Sequence, residues 1–273
     1  LEYVIVTHAH QDHIAGFVGS KDSPSLLERF EIGTLIQFAE TNSETQLYKD
    51  YQTKVDALKA NGTTKVLTAL DCCKGTNGGQ AEYEIANGTT MKILYQKYYE
   101  ETNKKSAGTN ENLFSVATLF QHGNNNYLLT GDLQEDGEES LVESNSLPEV
   151  EFFKAGHHGS ATANNDVLLN AIKPKNIGIC CVAGAPEFTT NNNNTMPYQE
   201  TSSRMSNYTD NIFCTMVAKN IDLANKKWEA EPMNGNITFY SEFGDDYTFT
   251  GDNSNTKLKD SAWFKANRTW PNA

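Results

Sequence analysis

The stretch Thr7-His8-Ala9-His10-Gln11-Asp12-His13 holds three of the chain's six histidines and a carboxylate. Imidazole nitrogen and carboxylate oxygen both ligate a divalent ion such as zinc, and a catalytic ion keeps one position for water. Two histidines one residue apart reach a single ion when a strand end bends into a turn. Asp12 and His13 then open the next helical turn and face the same crevice. A single histidine here would read as a surface residue near a turn. H-x-H-x-D-H behind an apolar run and before Ile14-Ala15-Gly16 reads as a metal site. The remaining ligands are expected at two later strand ends. Tyr127–Thr130 runs into Gly131-Asp132, and Glu151–Ala155 runs into Gly156-His157-His158-Gly159-Ser160. Alone, Asp132 reads equally well as a turn cap, and the His-His pair is ambiguous. Together they add a bridging carboxylate and a further imidazole, enough for a two-metal centre.

The elements that must position these groups follow from apolar patterning. Tyr3–Val6 is a short buried strand, and the histidine cluster sits at its C-terminal end, where open α/β folds place ligands. Further strands are expected at 32–38, 64–70, 89–95, 150–155, 177–182, 212–216, 236–240 and 247–250. Residues 114–121 and 127–130 form a hairpin across His122–Asn126. Helices are expected at 25–30, 136–143, 165–172, 199–206 and 45–61, the last with Leu47, Tyr51, Val55 and Leu58 on one face and Asn61-Gly62 at its end. Tyr98–Asn110 and Phe188–Met196 are polar and read as loops. Trp263, Phe264 and Trp270 mark a tail that packs back onto the body or belongs to something removed. With neither repeat nor clear linker, 1–273 is one domain.

The net charge is −13, from 22 basic and 35 acidic residues. Non-specific nucleic-acid binding draws on a basic face. No basic run is visible, so that class is disfavoured. Five cysteines without a C-x-x-C spacing indicate neither a zinc knuckle nor a disulfide framework. Cys180 and Cys181 are expected as buried free thiols. No signal peptide or transmembrane run is visible, although the chain starts at Leu1 and enters a strand at once.

H-x-H-x-D-H, then Leu128-Leu129-Thr130-Gly131-Asp132, then His157-His158-Gly159-Ser160, resembles the metallo-β-lactamase fold superfamily. The order and spacing are most similar to its ComEC-type competence branch and to related phosphodiesterase-like members. The resemblance covers Tyr3 to about Ser160 and implies an αββα sandwich. It implies that His8 and His10 ligate a first metal, Asp12 and His13 a second, that Asp132 bridges them, and that His158 binds the second. Asp12, Asp132 and His157 would be catalytic, with His157 on substrate phosphate; Ser160 and Lys154 are weaker candidates for substrate contact. The cofactors implied are two divalent ions, zinc or manganese. Many members carry another metal-binding histidine before the Thr-Gly-Asp strand. Asn112 stands there as a weak oxygen ligand, which favours manganese. Met196-Pro197 occupies a place where the branch often has His-Pro. Only Tyr3–Val6 precede the first motif, where the superfamily has several strands, so an N-terminal segment is missing or supplied by a larger protein.

These readings converge on a metal-dependent hydrolase that uses metal-bound hydroxide, with a phosphodiester as the expected bond. The substrate is DNA or a small phosphoester. The acidity suits the smaller one, and β-lactam or other ester hydrolysis is the weaker enzymatic alternative. The alternative from a different class is a degenerate metal-binding or structural module without turnover, suggested by Asn112, Met196 and the short start. Competence-type relatives imply a place outside the cytoplasmic membrane or attached to it.

Overall fold

The computed structural model describes residues 1–101, 110–242 and 247–271. Three parallel strands, β1 (Tyr3–Val6), β2 (Thr34–Gln37) and β3 (Lys65–Thr68), form a small sheet in the order β1-β2-β3. Helices α1 (Gln11–Val18), α2 (Leu26–Arg29), α3 (Gln46–Asn61) and α4 (Ala69–Lys74) alternate with or follow them. Helix α3 starts where the Thr45 side chain accepts the Tyr48 amide and ends at Gly62 in the left-handed region. The strand expected at 64–70 stops earlier, at Thr68. There Thr68 and Asp71 form a reciprocal capping box that turns the chain into α4.

The second sheet has eight strands. They are β4 (Glu82–Ala86), β5 (Thr89–Leu94), β6 (Ala117–His122), β7 (Asn125–Leu129), β8 (Phe152–Lys154), β9 (Asn176–Ala183), β10 (Ile212–Asp222) and β11 (Lys227–Pro232), running in reverse numerical order across the sheet. Strands β7 to β10 are mutually parallel, and the rest pair antiparallel. The crossovers among the parallel strands carry α5 (Glu135–Ser144), α6 (Asp166–Ile172) and α7 (Gln199–Ser206). A separate hairpin, β12 (Ile237–Ser241) with β13 (Tyr247–Gly251), packs Phe239 against Tyr127 and Phe152, and α8 (Ala262–Asn267) follows it.

Period-two alternation gives the large sheet two apolar faces. On β5, Met91 and Ile93 enter a core shared with Val4, Val6, Leu35, Ile36 and residues of α1–α4; on β6, Ala117 and Leu119 enter another. That second core holds Leu141 of α5, Leu168 and Leu169 of α6, Met205 of α7, and Trp263, Phe264 and Trp270 of the tail. The layered α/β sandwich is therefore the architecture, and the tail packs onto the body. No helix among the described residues is long and apolar enough to cross a membrane.

Several local expectations need correction. The β6–β7 connection is a two-residue turn, because His122 pairs with Asn125, and the His122 ring meets the Ser241 hydroxyl at 3.0 Å. Tyr99, assigned to an exposed loop, is fully buried, and its hydroxyl accepts the Ala117 amide; residues 102–109 of that loop lie outside the described residues. The strand expected at 212–216 runs on to Asp222 and pairs with β11, and β4 lies outside the expected strands; Glu82, Glu84, Lys227 and Glu229 face solvent on these edges. Cys180 is exposed and Cys181 half-buried, whereas Cys214 is buried. The strand's alternation carries them to different surroundings.

A buried polar clamp holds the loop after β8. Glu138 of α5 accepts the Asn164 amide at 2.6 Å and the Asn165 amide at 2.8 Å. Asn164 in turn accepts the Gly156 amide at 2.7 Å and donates to the Gly156 carbonyl at 3.0 Å. Arg204 ties down the carbonyls of Ala161, Ala163 and Asn164. Burial pushes the Glu138 carboxyl up to about 7 against the pull of these donors. Glu138→Gln would turn an amide N–H₂ toward backbone N–H groups. We expect a loss of about 1–3 kcal/mol in urea denaturation; unchanged stability would show that the clamp does not hold the loop.

Candidate metal centre

The site forms where the C-terminal end of β1 meets those of β7 and β8. Alternation along β1 places His8 on the same side as the buried Val4 and Val6, and its ring is fully buried. The Thr7 carbonyl accepts the Val116 amide at 3.0 Å, joining the small sheet to the large one at this point. Parallel pairing with Leu129 opposite Lys154 sets Asp132 and His157 three residues beyond matched positions. Gly131 makes the approach possible. Its φ is +59°, and a Cβ there would stand 3.0 Å from the side chains of Thr7 and Ser115.

The His157-His158 loop is strained. His157, His158 and Gly159 adopt φ of 46°, 54° and 79° in succession. Non-glycine residues enter this region at a cost and persist there when their surroundings hold them. The holders are the Asn164 clamp, the His157 amide donating to Gly131 O, and the Ser160 amide donating to His157 O.

Asp12, His13, Asp132 and His158 each direct one ligand atom into a group whose members lie within 4.8 Å of one another. His13 Nε2 is 3.4 Å from Asp12 Oδ2 and 3.2 Å from Asp132 Oδ2. His158 Nε2 is 3.2 Å from Asp12 Oδ2 and 3.4 Å from Asp132 Oδ2. Tetrahedral bonds of about 2.0–2.2 Å imply ligand separations of about 3.3–3.6 Å, so the set fits a divalent ion. Buried atoms without partners agree with this. Asp132 Oδ1 and Asn112 Oδ1 have no hydrogen-bond donor, and His13 Nε2, close as it is to both carboxylates, lies outside hydrogen-bond geometry.

His8 and His10 form a pair beside this group, with Nε2 of His8 3.1 Å from Nδ1 of His10. His8 reaches Asp132 Oδ2 at 3.9 Å. Asp132 thus lies between the pair and the other three residues of the group. Asn112 Nδ2 is 3.5 Å from His157 Nε2, and its buried Oδ1 has no hydrogen-bond partner. Ser160 lines the adjoining cleft with His10, Asp12, Asp132, His157 and His158. Lys154 does not, and its Nζ donates to the Ala155 carbonyl at 3.2 Å.

Neighbours that no motif pointed to orient the rings. His158 Nδ1–H donates to the Cys180 carbonyl at 2.8 Å, so Nε2 is the nitrogen turned to the carboxylates. Thr7 Oγ1 contacts Nδ1 of His13 at 3.0 Å and Nδ1 of His8 at 3.2 Å. Ser115 Oγ lies 3.4 Å from His8 Nδ1 and accepts the Asp132 amide at 3.1 Å. Gln134 Nε2 meets His157 Nδ1 at 3.2 Å. Buried Glu111 accepts the Ala9 and Asn42 amides, both at 2.9 Å, and so fixes the turn carrying His8 and His10. Thr7 directly precedes His8 and Ser115 lies three residues after Asn112, but nothing in the sequence marks which hydroxyl meets which ring.

Burial pushes the His8 pKa down to about 3 and lowers that of His157. For His13, burial is outweighed by Asp12 and Asp132, and the net direction is up. Bonds to Asp12 and then Asp132 push His158 up to about 10. The imidazoles of His13 and then His158 hold Asp12 well below the usual carboxylate range. Burial acts to raise Asp132, yet the same two imidazoles hold it low as well.

No family model matches the chain. It is 25% identical to ComE operon protein 3 of Bacillus subtilis over 177 residues, covering 64% of this chain and 19% of that protein. It is 33% identical to Recombination protein 2 of Haemophilus influenzae over 64 residues, covering 23% of this chain and 8% of that protein. The chain thus spans less than a fifth of the length of these curated relatives. Among solved structures it aligns with a CmlA beta-hydroxylase mutant at a TM-score of 0.35 and 11% identity, over 65% of this chain and 36% of the other.

Two outcomes follow from the geometry. A metal must displace the proton that His158 carries below a pKa of about 10. Zinc binding at neutral pH should therefore release protons, and affinity should fall as pH is lowered. Calorimetry in buffers of different ionisation enthalpy measures this, and zinc uptake without proton release would contradict the assignment. Ser115→Ala should weaken zinc about 10- to 100-fold against a chromophoric chelator; equal affinity would show that the Ser115 hydroxyl does not orient the site.

Proposed function

We propose that the chain is a metal-dependent hydrolase and that the bond it cleaves is a phosphodiester. The observation that carries this reading is the convergence of Asp12, His13, Asp132 and His158 at the floor of an open cleft. The similarity to ComE operon protein 3 and the order of the three motifs support it. Asp12, His13, Asp132 and His158 would hold one divalent ion, zinc or manganese, and His8 and His10, with Asp132 shared, would hold a second. Bound there, such ions make water a competent nucleophile near neutral pH and neutralise charge that develops on phosphorus-bound oxygens.

The chain's own residues supply positioning. Asp12 is the more exposed of the two carboxylates, with 59% of its side chain accessible against 3% for Asp132. It is placed to orient the attacking water. Asp132 is buried and held from three sides, so it keeps the two halves of the centre in register. His157 is kept uncharged by burial and faces the cleft, where its ring can hydrogen-bond a phosphoryl oxygen. In the reaction, water oxygen bonds to phosphorus, the ester P–O bond breaks, and the departing oxygen takes up a proton.

A second reading, a metal-binding module without turnover, is favoured by one contact. Asn112, an amide where a further metal-binding histidine is expected, sets its Nδ2 3.5 Å from His157 Nε2. Hydrolysis of bis-p-nitrophenyl phosphate with added zinc or manganese decides between the two. We expect metal-dependent turnover that drops more than about 100-fold in Asp132→Ala and about 100-fold in His157→Ala. Two bound ions with no turnover under any condition would favour the module.

A further inference from the structure

We infer that the cleft over the metal centre takes small phosphoesters bearing an apolar group next to the reacting phosphate, and that a nucleic-acid strand is not its substrate. The inference rests on the metal-dependent hydrolase reading above and adds the substrate class.

The cleft has a volume of about 760 Å³, within the range of pockets that enclose a small molecule. The candidate ligands form one end of it. The walls come from adjacent strand segments, Cys181 and Val182 on β9 and Thr215 and Met216 on β10, and from the segment between β9 and α7. That segment contributes Phe188, Met196 and Tyr198. Beside the candidate ligands and His157, Val182, Phe188, Met196 and Met216 give the cleft an apolar stretch, although Glu187 and uncharged polar side chains such as Ser160, Asn194 and Thr215 line it as well. A bound ester would place its phosphate at the ligands and its substituent against Val182, Met196 and Met216.

Charge separates this occupant from a nucleic acid. Among the described residues that line the cleft, none is lysine or arginine, and Glu187 adds a carboxylate. Strand binding requires cations along the track of successive phosphates, with aromatic rings between them. Phe188 and Tyr198 could stack on a base, but the phosphates flanking the reacting one would lie against an uncompensated wall of a chain whose net charge is −13. A single phosphate is served by the metal centre alone. Phe188 also stands out, because 74% of it is exposed although it is a large aromatic ring at the cleft. An aromatic or aliphatic substituent would cover part of that surface.

Binding without turnover tests this. The zinc-loaded chain is titrated by calorimetry with phenylphosphonate, methylphosphonate and a short thymidylate oligonucleotide. Phenylphosphonate should bind about tenfold more tightly than methylphosphonate, and the oligonucleotide more weakly than phenylphosphonate. The preference for phenyl should collapse in Phe188→Ser, a change at an exposed ring, and in Met216→Gln, with zinc stoichiometry unchanged in both. Equal affinity of the two phosphonates, no binding of either, tighter binding of the oligonucleotide, or a preference that survives both substitutions would overturn the inference. A phenyl preference in a chain that hydrolyses no diester would leave the inference standing and remove the hydrolytic reading. Diester turnover with the oligonucleotide preferred would do the reverse.

Discussion

A buried carboxylate has to be balanced, and Asp132 sets that requirement at the junction of the two sheets. Ionised carboxylates are seldom buried unless a cation or several donors face them. Here His13 and His158 approach one oxygen, His8 stands 3.9 Å from it, and the second oxygen has no donor. The three imidazoles arrive from two different sheets. Each packing feature that brings β1 against the ends of β7 and β8 is therefore also a term in the electrostatic balance of this group. Gly131 is the clearest case, since its missing side chain lets the Asp132 turn sit against Thr7 and Ser115.

Around that carboxylate the chain uses its own backbone and hydroxyls to choose ring orientations. The Cys180 carbonyl selects the His158 tautomer, and Thr7 lies beside the far nitrogens of both His8 and His13. The strained turn at His157-His158 is held by a buried network that begins on α5 with Glu138 and runs through Asn164 to Gly156. Preorganisation of this kind has an energetic cost in the folded chain, which two well-filled cores offset. The tail contributes to one of them through Trp263, Phe264 and Trp270, so the scaffold of the site extends to residues far from it in sequence.

The acidity of the chain and the chemistry of its cleft agree. A surplus of carboxylates sits uneasily with a polyanionic strand but suits a site in which divalent ions concentrate the positive charge at one end. Under the proposed reading, the apolar part of the wall would select what is attached to the reacting group. A fold alone does not decide such a selection, because function lives in the side chains that line a site.

The sequence by itself determined the local features. Helix α3 was legible with its apolar face and its terminating glycine, as were strand β1 and the three strand-end motifs, because periodicity and helix termination act over a few residues and leave their mark in adjacent positions. His8, His10, Asp12, His13, Asp132 and His158 could be named for the same reason, since each cluster is contiguous. Strand β4 and the β10–β11 pairing are not legible in the same way, because each alternating stretch is short and holds only one or two apolar residues on its inner face. Only the tertiary structure decided that Asp12, His13, Asp132 and His158 form one compact set with His8 and His10 beside it, that Asn112 turns to His157, and that Glu111, Ser115 and the Cys180 carbonyl fix the ligands. Those relations join residues up to 146 positions apart. They depend on strand register and on which faces of two sheets meet, and neither is written in any short stretch of the chain.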